Sequence, residues 1–267
     1  MTEVDANMAM ATEYLGYTVL EIAIIMFTFF FAAFVKGMAG LGFTTICLAI
    51  LAYSVGIKKG IPLILIPALI SDVILVYEAG NFKRSARRFW PIHLFAIPGV
   101  AIGLWFLGWV SGYILTILLG FVIFAFVVFA SFSQNLQLHT RWERTACIIS
   151  GFTTGILTGM TGSQLMPIMP FLVSLNMPRD YFVQAINTFF TVVTITMILG
   201  LYLMGMLNFG VLTLSLVGLV FVYIGTKTGN YLGRRFSPSV FRYCVLTMMA
   251  FSGAGLIIKE LWLHPMM

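Results

Sequence analysis

The sequence predicts an all-α polytopic membrane protein, and three observations lead to this prediction. Of the 267 residues, 60% are hydrophobic and only 9% are charged, whereas soluble domains carry roughly 25% charged residues. The mean hydropathy is +1.02. Three stretches, 89–140, 145–178 and 181–226, contain no Asp, Glu, Lys or Arg. Because one helical span needs about 20 apolar residues, these stretches leave room for several membrane crossings.

Apolar runs bounded by glycine, proline and charge predict ten helical pieces. Their expected bounds are 16–36, 42–55, 61–79, 91–109, 112–131, 144–158, 163–175, 182–204, 209–226 and 239–262.

An internal repeat divides these pieces into two sets of five. A shift of 122 residues places Gly37 on Gly159, Met38 on Met160 and Gly40 on Gly162 without a gap. The pieces 144–158 and 163–175 are each only about 20 Å long, less than the ~30 Å of the hydrocarbon core. We therefore expect each half to be a re-entrant helical hairpin followed by three transmembrane helices.

Three crossings per half is an odd number, so the second half should be inverted relative to the first. The predicted organisation is an N-terminal tail (1–15), a first transmembrane repeat (16–131), a cytoplasmic linker (132–143) and a second repeat (144–262).

The placement of basic residues agrees with inverted halves. In the first half the loop after the first long helix is basic and the next loop is uncharged, and in the second half this order is reversed. Under the positive-inside rule, we expect a multi-pass protein of the cell (inner) membrane with both termini outside. Lys58 and Lys59, on the outer side, are the exception. The basic residues assigned to the cytoplasmic side are Lys83, Arg84, Arg87, Arg88, Arg141, Arg144, Arg179, Lys227, Arg234, Arg235 and Arg242.

The net charge of +6 does not indicate a nucleic-acid partner, because the cations lie in short clusters beside apolar runs. We expect no metal and no cofactor, since the three histidines and three cysteines follow no ligand motif. A membrane-embedded enzyme is disfavoured, because the chain has nine acids and no paired acid/base pattern. The expected partners are a small anion and membrane lipid, and a homodimer is left open.

The candidate site lies at two glycine-rich breaks in the helices. Irregular backbone inside a membrane survives only where protein or a water-filled cavity satisfies its polar groups. We expect a half-helix to begin after each break, near 42–45 and near 163–164, with free N–H groups that attract an anion. The alternative is that the glycines only allow close helix packing. The candidate substrate-binding residues are Lys36, Gly37, Gly40, Gly42, Thr44, Thr45, Thr158, Gly159, Thr161, Gly162, Ser163, Gln164 and Asn187.

Two charged residues in apolar helices are the strongest single candidates. Lys36 ends the first piece, where a cation costs about 2.5–3.5 kcal/mol, unless it snorkels to an interface. Asp72 lies in a long helix and could carry a proton, orient a donor or pair with Lys36. Asn187 lies on the equivalent helix of the second half, where it binds substrate or only ties helices together.

At these breaks the sequence resembles the sulfite exporter TauE/SafE family, also called the TSUP family. The resemblance rests on Gly37-x-x-Gly40-x-Gly42 and on the second copy, Gly155-x-x-x-Gly159-x-x-Gly162, which leads to Pro167 and Pro170. It covers roughly residues 20–260 and implies a transporter that moves sulfite or C2 sulfonates, often outward. By resemblance, 36–45 and 158–164 would line the substrate path. Phe43 and Gln164 interrupt the family's usual run of glycines, which leaves the identity of the anion open.

The residues leave the direction and mode of transport open. An exporter of anions, a carrier coupled through Asp72 and a passive anion channel all fit the pattern of charges.

Overall fold

The computed structural model describes residues 13–39, 42–80, 82–132, 138–233 and 238–263. Two short strands, β1 (Glu13–Tyr14) and β2 (Tyr17–Thr18), pair antiparallel before the first helix. All other regular structure in the described ranges is helical, as the sequence predicts. The helices are α1 (Val19–Ala39), α2 (Phe43–Ser54), α3 (Ile57–Ala79), α4 (Phe82–Trp109), α5 (Gly112–Phe132), α6 (Glu143–Thr161), α7 (Ile168–Ser174), α8 (Arg179–Leu203), α9 (Phe209–Gly233) and α10 (Pro238–Leu263), with a 3-10 turn at Thr140–Trp142.

Seven of the described helices are long and apolar enough to cross a membrane: α1, α3, α4, α5, α8, α9 and α10. The protein is therefore a multi-pass membrane protein. The first arms of the two hairpins, α1 and α6, have 21 and 19 residues, or about 31 and 28 Å. Each is longer than the short, ~20 Å arm expected of a re-entrant hairpin. Helix α1 is long enough to cross the hydrocarbon core by itself. The re-entrant form of the hairpins stays a prediction.

Two helices begin four or more residues earlier than the sequence predicts. Helix α3 begins at Ile57 rather than at residue 61, and it continues through Pro62 and Pro67. Helix α4 begins at Phe82 rather than at residue 91, with non-helical dihedral angles at Phe89 (φ −103°, ψ 15°). This kink lies two residues before Pro91, whose ring disfavours helical backbone immediately before it. Proline therefore ends neither helix, and α4 is kinked near Pro91.

The helices of the two halves pack in a reciprocal pattern. The most extensive contacts join α4 of the first half to α6 of the second, and α9 of the second half to α1 of the first. Helix α3 packs on α8, and α5 packs on α10. The helices α1–α5 correspond in order to α6–α10. If the halves are exchanged, the pair α4–α6 becomes α9–α1, and the pairs α3–α8 and α5–α10 are unchanged. This pattern supports a twofold relation between the repeats, while their opposite orientation in a membrane stays a prediction.

Glycine makes the two main contacts close, and in both it faces carbonyl groups at matching positions of α6 and α1. A Cβ added at Gly99 or Gly103 of α4 would overlap the carbonyl oxygens of Phe152 and Ile156 on α6. A Cβ added at Gly225 or Gly229 of α9 would likewise overlap the carbonyl oxygens of Phe30 and Phe34 on α1. Phe30 and Phe34 precede Phe152 and Ile156 by the same 122 residues that align the glycine breaks. The repeat is therefore visible in backbone packing as well as in sequence.

Candidate functional site

The first break separates α1 from α2. Helix α1 continues past Gly37 to Ala39. Gly40, a predicted site residue, lies outside the described residues. Helix α2 begins at Phe43, and its N-cap, Gly42, has left-handed backbone (φ 98°) and supplies no side-chain cap. A residue with a side chain rarely adopts such a conformation, so glycine at position 42 allows the helix to restart at once.

The start of α2 has amides without an acceptor inside the helix, as the sequence predicts for a helix N-terminus. The first helical hydrogen bond runs from the Ile46 N–H to the Gly42 carbonyl oxygen, at 3.0 Å. The N–H groups of Phe43, Thr44 and Thr45 therefore have no acceptor within the helix. The side chains of Thr44 and Thr45 are buried.

The second break differs from the prediction. Helix α6 ends at Thr161 and is followed by Gly162 in left-handed backbone (φ 74°), but α7 begins only at Ile168. The expectation that a half-helix starts at Ser163 and Gln164 is wrong. Pro167 disfavours helical backbone in the residue before it, and the Thr154 hydroxyl accepts the Ile168 N–H at 3.0 Å. The two predicted residues therefore lie in a non-helical segment.

Threonine hydroxyls hold this segment in place. The Thr158 hydroxyl donates a shared hydrogen bond to the carbonyl oxygens of Thr154 (2.7 Å) and Ser163 (3.0 Å). The Ser163 N–H donates to the Thr161 hydroxyl at 3.3 Å, and the Gly162 N–H donates to the Thr158 carbonyl oxygen at 2.7 Å. The second break thus bonds its backbone to hydroxyls and a carbonyl group of α6.

The two breaks meet in the interior. The hydroxyl oxygens of Thr45 and Ser163 lie 3.2 Å apart, although the residues are 118 positions apart in sequence. A Cβ added at Gly162 would lie 2.9 Å from Leu48 of α2 and 3.1 Å from Ile61 of α3. The second break is therefore in tight contact with the helix that begins at the first.

A buried ion pair lies beside the first break. The Lys36 ammonium donates to Oδ1 of Asp72 at 3.0 Å, and 6% of Lys36 and 2% of Asp72 are exposed. Lys36 therefore does not snorkel to the surface in this conformation. Oδ2 of Asp72 is buried and has no hydrogen-bond partner among the described residues. Of the three open roles for Asp72, pairing with Lys36 is the one that this structure contains.

The remaining predicted residues divide between packing and polar contacts. A Cβ at Gly159 would lie 2.7 Å from the Cα of Gly103, so the close-packing alternative accounts for Gly159. The Asn187 side chain is buried and donates to the Val183 carbonyl oxygen of its own helix, at 2.8 Å. Gln164 is buried and donates through Nε2 to the Thr194 hydroxyl at 2.8 Å.

Sequence reasoning missed two residues of this network, Thr154 and Thr194. Thr154 precedes Thr158 by four positions, so the two hydroxyls share one face of α6. Thr194 lies seven positions after Asn187, again on one helical face. Helical spacing from the predicted residues was the signal that would have found both.

Across the described ranges, no three His, Cys, Asp or Glu side chains are grouped as a metal site would require. The site is instead built from one lysine, one aspartate, backbone amides, hydroxyls and an amide side chain. Such a set favours a small hydrogen-bonding anion.

Comparison with known proteins identifies the family. The sequence model of the sulfite exporter TauE/SafE family matches residues 25–256. The chain belongs to this family. It is therefore a member of a membrane transporter family, which argues against an enzyme. No curated protein and no solved structure matches the chain.

Proposed function

We propose that this TauE/SafE protein is a secondary transporter that exports small sulfur-containing anions, such as sulfite or C2 sulfonates. In this proposal the anion binds near the bilayer midplane, between the two interrupted hairpins. The observation that carries it is the 3.2 Å contact between the Thr45 and Ser163 hydroxyls. This contact joins two breaks from opposite halves of the chain, the place where transporters with repeated halves bind their substrates.

The groups around the two breaks have complementary roles in this proposal. Lys36 supplies a full positive charge, and the free amides at the start of α2 supply the positive end of a helix dipole. Thr158, Thr161, Ser163 and Gln164 add hydrogen-bonding groups that carry no charge. Together they replace the water that the anion loses on entering the membrane.

The ion pair suggests how binding is coupled to release. In this conformation the Asp72 carboxylate pairs with the Lys36 ammonium group, so an incoming anion competes with the carboxylate for that group. A carboxylate displaced in a buried site is neutralised by taking up a proton. Asp72 is therefore our candidate for proton coupling. Lys36 would bind the Asp72 carboxylate and the substrate in turn.

In a cycle that moves no proton with the substrate, export follows the electrical force on an anion. A membrane potential of 100 mV, negative inside, favours exit of one negative charge by about 2.3 kcal/mol. Uptake against this potential would need the coupling that Asp72 offers. The proposed setting is the inner membrane of the cell, with two inverted repeats over 16–131 and 144–262, a tail at 1–15, a linker at 132–143 and both termini outside. The reciprocal packing of the two halves supports this arrangement.

Counterflow in proteoliposomes tests the proposal. Vesicles loaded with unlabelled sulfite or sulfoacetate are diluted into trace amounts of the same labelled anion. We expect transient accumulation of label that saturates with concentration, because a carrier exchanges bound substrate across the membrane. Label that only equilibrates, without overshoot, would indicate a passive anion channel. Absence of flux for every sulfur anion tried, in protein shown to be folded, would refute the function.

The site assignment is tested in the same assay with paired variants. Thr161→Ala removes a buried hydroxyl of the second break, and Thr213→Val removes an exposed hydroxyl that donates to the Phe209 carbonyl oxygen of its own helix at 2.8 Å. We expect the first change to raise the KM for the anion and the second to leave it unchanged. Equal KM values in both variants and the wild type would contradict the assignment.

A further inference from the structure

The described residues line two basic cavities that the proposed site does not include. Cavity A, of about 510 Å³, is lined by Lys83, Arg84, Arg87, Arg88 and Tyr181. Lys83 and Arg87 are four residues apart on α4, as are Arg84 and Arg88, so each of these pairs lies on one face of the helix. Arg88 pairs with Glu143 at 2.8 Å, and the Arg84 guanidinium lies 5.4 Å from the centre of the Tyr181 ring.

Cavity B, of about 310 Å³, is lined in part by Lys58, Lys59 and Lys259. The Lys259 ammonium donates to the Tyr53 carbonyl oxygen at 3.2 Å and lies 5.0 Å from the centre of the Tyr53 ring. Glu260 also lines cavity B, so its formal charge is two positive rather than three. Both cavities are in the size range of small-molecule sites, about 300–1,000 Å³.

Helix α3 places the two cavities at opposite ends of the bundle. It begins at Ile57, which lines cavity B, and ends at Ala79, three residues before α4 and its basic residues begin. Its 23 residues span about 35 Å. This length exceeds the ~30 Å hydrocarbon core, so the cavities lie near the two membrane surfaces.

The helix breaks lie between the two cavities. On α8, Tyr181 lines cavity A and Thr194 accepts the hydrogen bond from Gln164, which places the second break about 20 Å from cavity A along the helix. On α2, Phe43 follows the first break and Tyr53 lines cavity B, about 15 Å away along the helix. The candidate site is thus roughly midway between two basic openings.

Cavity B also explains the exception in the charge pattern. Membrane orientation requires cations on the cytoplasmic side only, so Lys58 and Lys59 at the predicted outer end serve no purpose in orientation. A cleft with one sign of charge concentrates ions of the opposite sign. We propose that cavities A and B are the two mouths of the anion pathway, each of which collects the transported oxyanion or sulfonate on its own side of the membrane.

This inference rests on the proposed anion transport. It is tested by measuring the KM for the anion separately on each side of the membrane. Two double variants, Lys83→Gln/Arg87→Gln in cavity A and Lys58→Gln/Lys59→Gln in cavity B, leave Arg88 with Glu143 and Lys259 with Tyr53. Lys227→Gln is the matched control, because Lys227 is an exposed-surface cation that bonds Tyr223 of its own helix at 3.1 Å. Transport of labelled sulfite or sulfoacetate, whichever the wild type carries, is measured from each side in right-side-out and inverted vesicles.

We expect each double variant to raise KM on one side only, with opposite sides for the two variants and an unchanged kcat. The increase should be about tenfold at low ionic strength and should vanish in high salt, where the Debye length is about 3 Å. The control should behave as wild type. Transport by the wild type with unchanged KM values in both double variants would overturn the inference and leave the proposed function intact. A wild type that carries no anion would instead refute the proposed function, and the inference with it.

Lipid composition separates substrate collection from binding of anionic headgroups. The same variants are compared in vesicles made only of zwitterionic lipid. Persistence of the sided KM change supports collection of the transported anion. If the change requires anionic lipid, the cations of these cavities bind headgroups and the inference is overturned.

Discussion

In the first half of the chain the hairpin arm ends beside a charged pair, Lys36 with Asp72, 3.0 Å apart. In the second half the positions 122 residues later are Thr158 and Thr194, which are uncharged and take part in hydrogen bonds of the second break. The backbone packing of the two halves is alike, but their chemistry differs. At these positions the first half carries charge, and the second half carries neutral donors and acceptors.

The two breaks differ in the same way in their backbones. In the first, the left-handed Gly42 directly precedes a 12-residue helix, whose first amides have no acceptor within that helix. The second needs a left-handed glycine followed by a non-helical segment and a helix of only seven residues, so it presents side chains. In the proposed site the two breaks therefore contribute unlike groups, and the following changes test this difference.

The largest effect is expected from breaking the ion pair. Lys36→Met leaves the Asp72 carboxylate buried without its cation, which costs about 3–5 kcal/mol of the free energy of unfolding. The double variant Lys36→Met/Asp72→Asn should recover most of this loss, because no buried charge remains. Thermal melts of purified protein measure both. A double variant as unstable as the single one would show that the instability does not come from an unpaired buried Asp72 carboxylate.

The glycines at the two breaks should differ in sensitivity. Gly162→Ala combines left-handed backbone with a Cβ only 2.9 Å from Leu48, and should cost about 3 kcal/mol. Gly42→Ala has strained backbone, but its Cβ would lie at an ordinary 3.7 Å from Ile46, so about 1 kcal/mol is expected. Gly112→Ala, with nothing within 4 Å, is the control in the same melts. Greater damage at Gly42 than at Gly162 would reverse the ranking.

Loss of the Thr194 hydroxyl should have a moderate effect on the second break. Thr194→Val removes the acceptor for the buried Gln164 amide, at a cost of about 1 kcal/mol. Thr213→Val serves as the control, since its exposed hydroxyl bonds only its own helix. If both variants melt alike, the Gln164 contact contributes nothing to stability.

The smallest effect is expected from the contact between the two breaks, measured as a coupling free energy of unfolding. A double-mutant cycle of Thr45→Val and Ser163→Ala is expected to give a coupling of about 0.6 kcal/mol, the average for hydrogen bonds between membrane helices. The cycle is measured as unfolding midpoints of the two single variants, the double variant and the wild type. Additive single effects would mean that the two hydroxyls do not interact.

The sequence predicts much of the fold because its main signals are local. Apolar runs predict each helix, and glycine-rich segments predict both breaks, where the structure places Gly42 and Gly162 in left-handed backbone. Helix starts were less predictable where proline lies within or just before a helix. Helix α4 begins nine residues earlier than expected, since Pro91 only kinks it. The length of the second break depends on Thr154, which caps α7 from another helix, and no local pattern encodes such a contact.

The site was predictable in composition but not in connectivity. Lys36 and Asp72 stand out as charges in apolar helices, yet their separation depends on where tertiary packing places α1 and α3 relative to each other. The partnership of Gln164 with Thr194 likewise depends on tertiary packing. The repeat offered a route to it, because the shift that aligns the breaks also places Asp72 on Thr194.

Ligand-induced stabilisation tests the central claim most directly. Purified wild type and the Lys36→Met/Asp72→Asn variant are melted with sulfite, sulfoacetate, taurine, isethionate, thiosulfate or sulfate. A ligand that binds the folded state at 100 times its Kd stabilises it by about 2.7 kcal/mol. We predict that at least one of these anions raises the melting temperature of the wild type and leaves the variant unchanged. No increase with any anion, or an equal increase in both proteins, would contradict an anion site beside Lys36 at the meeting of the two breaks.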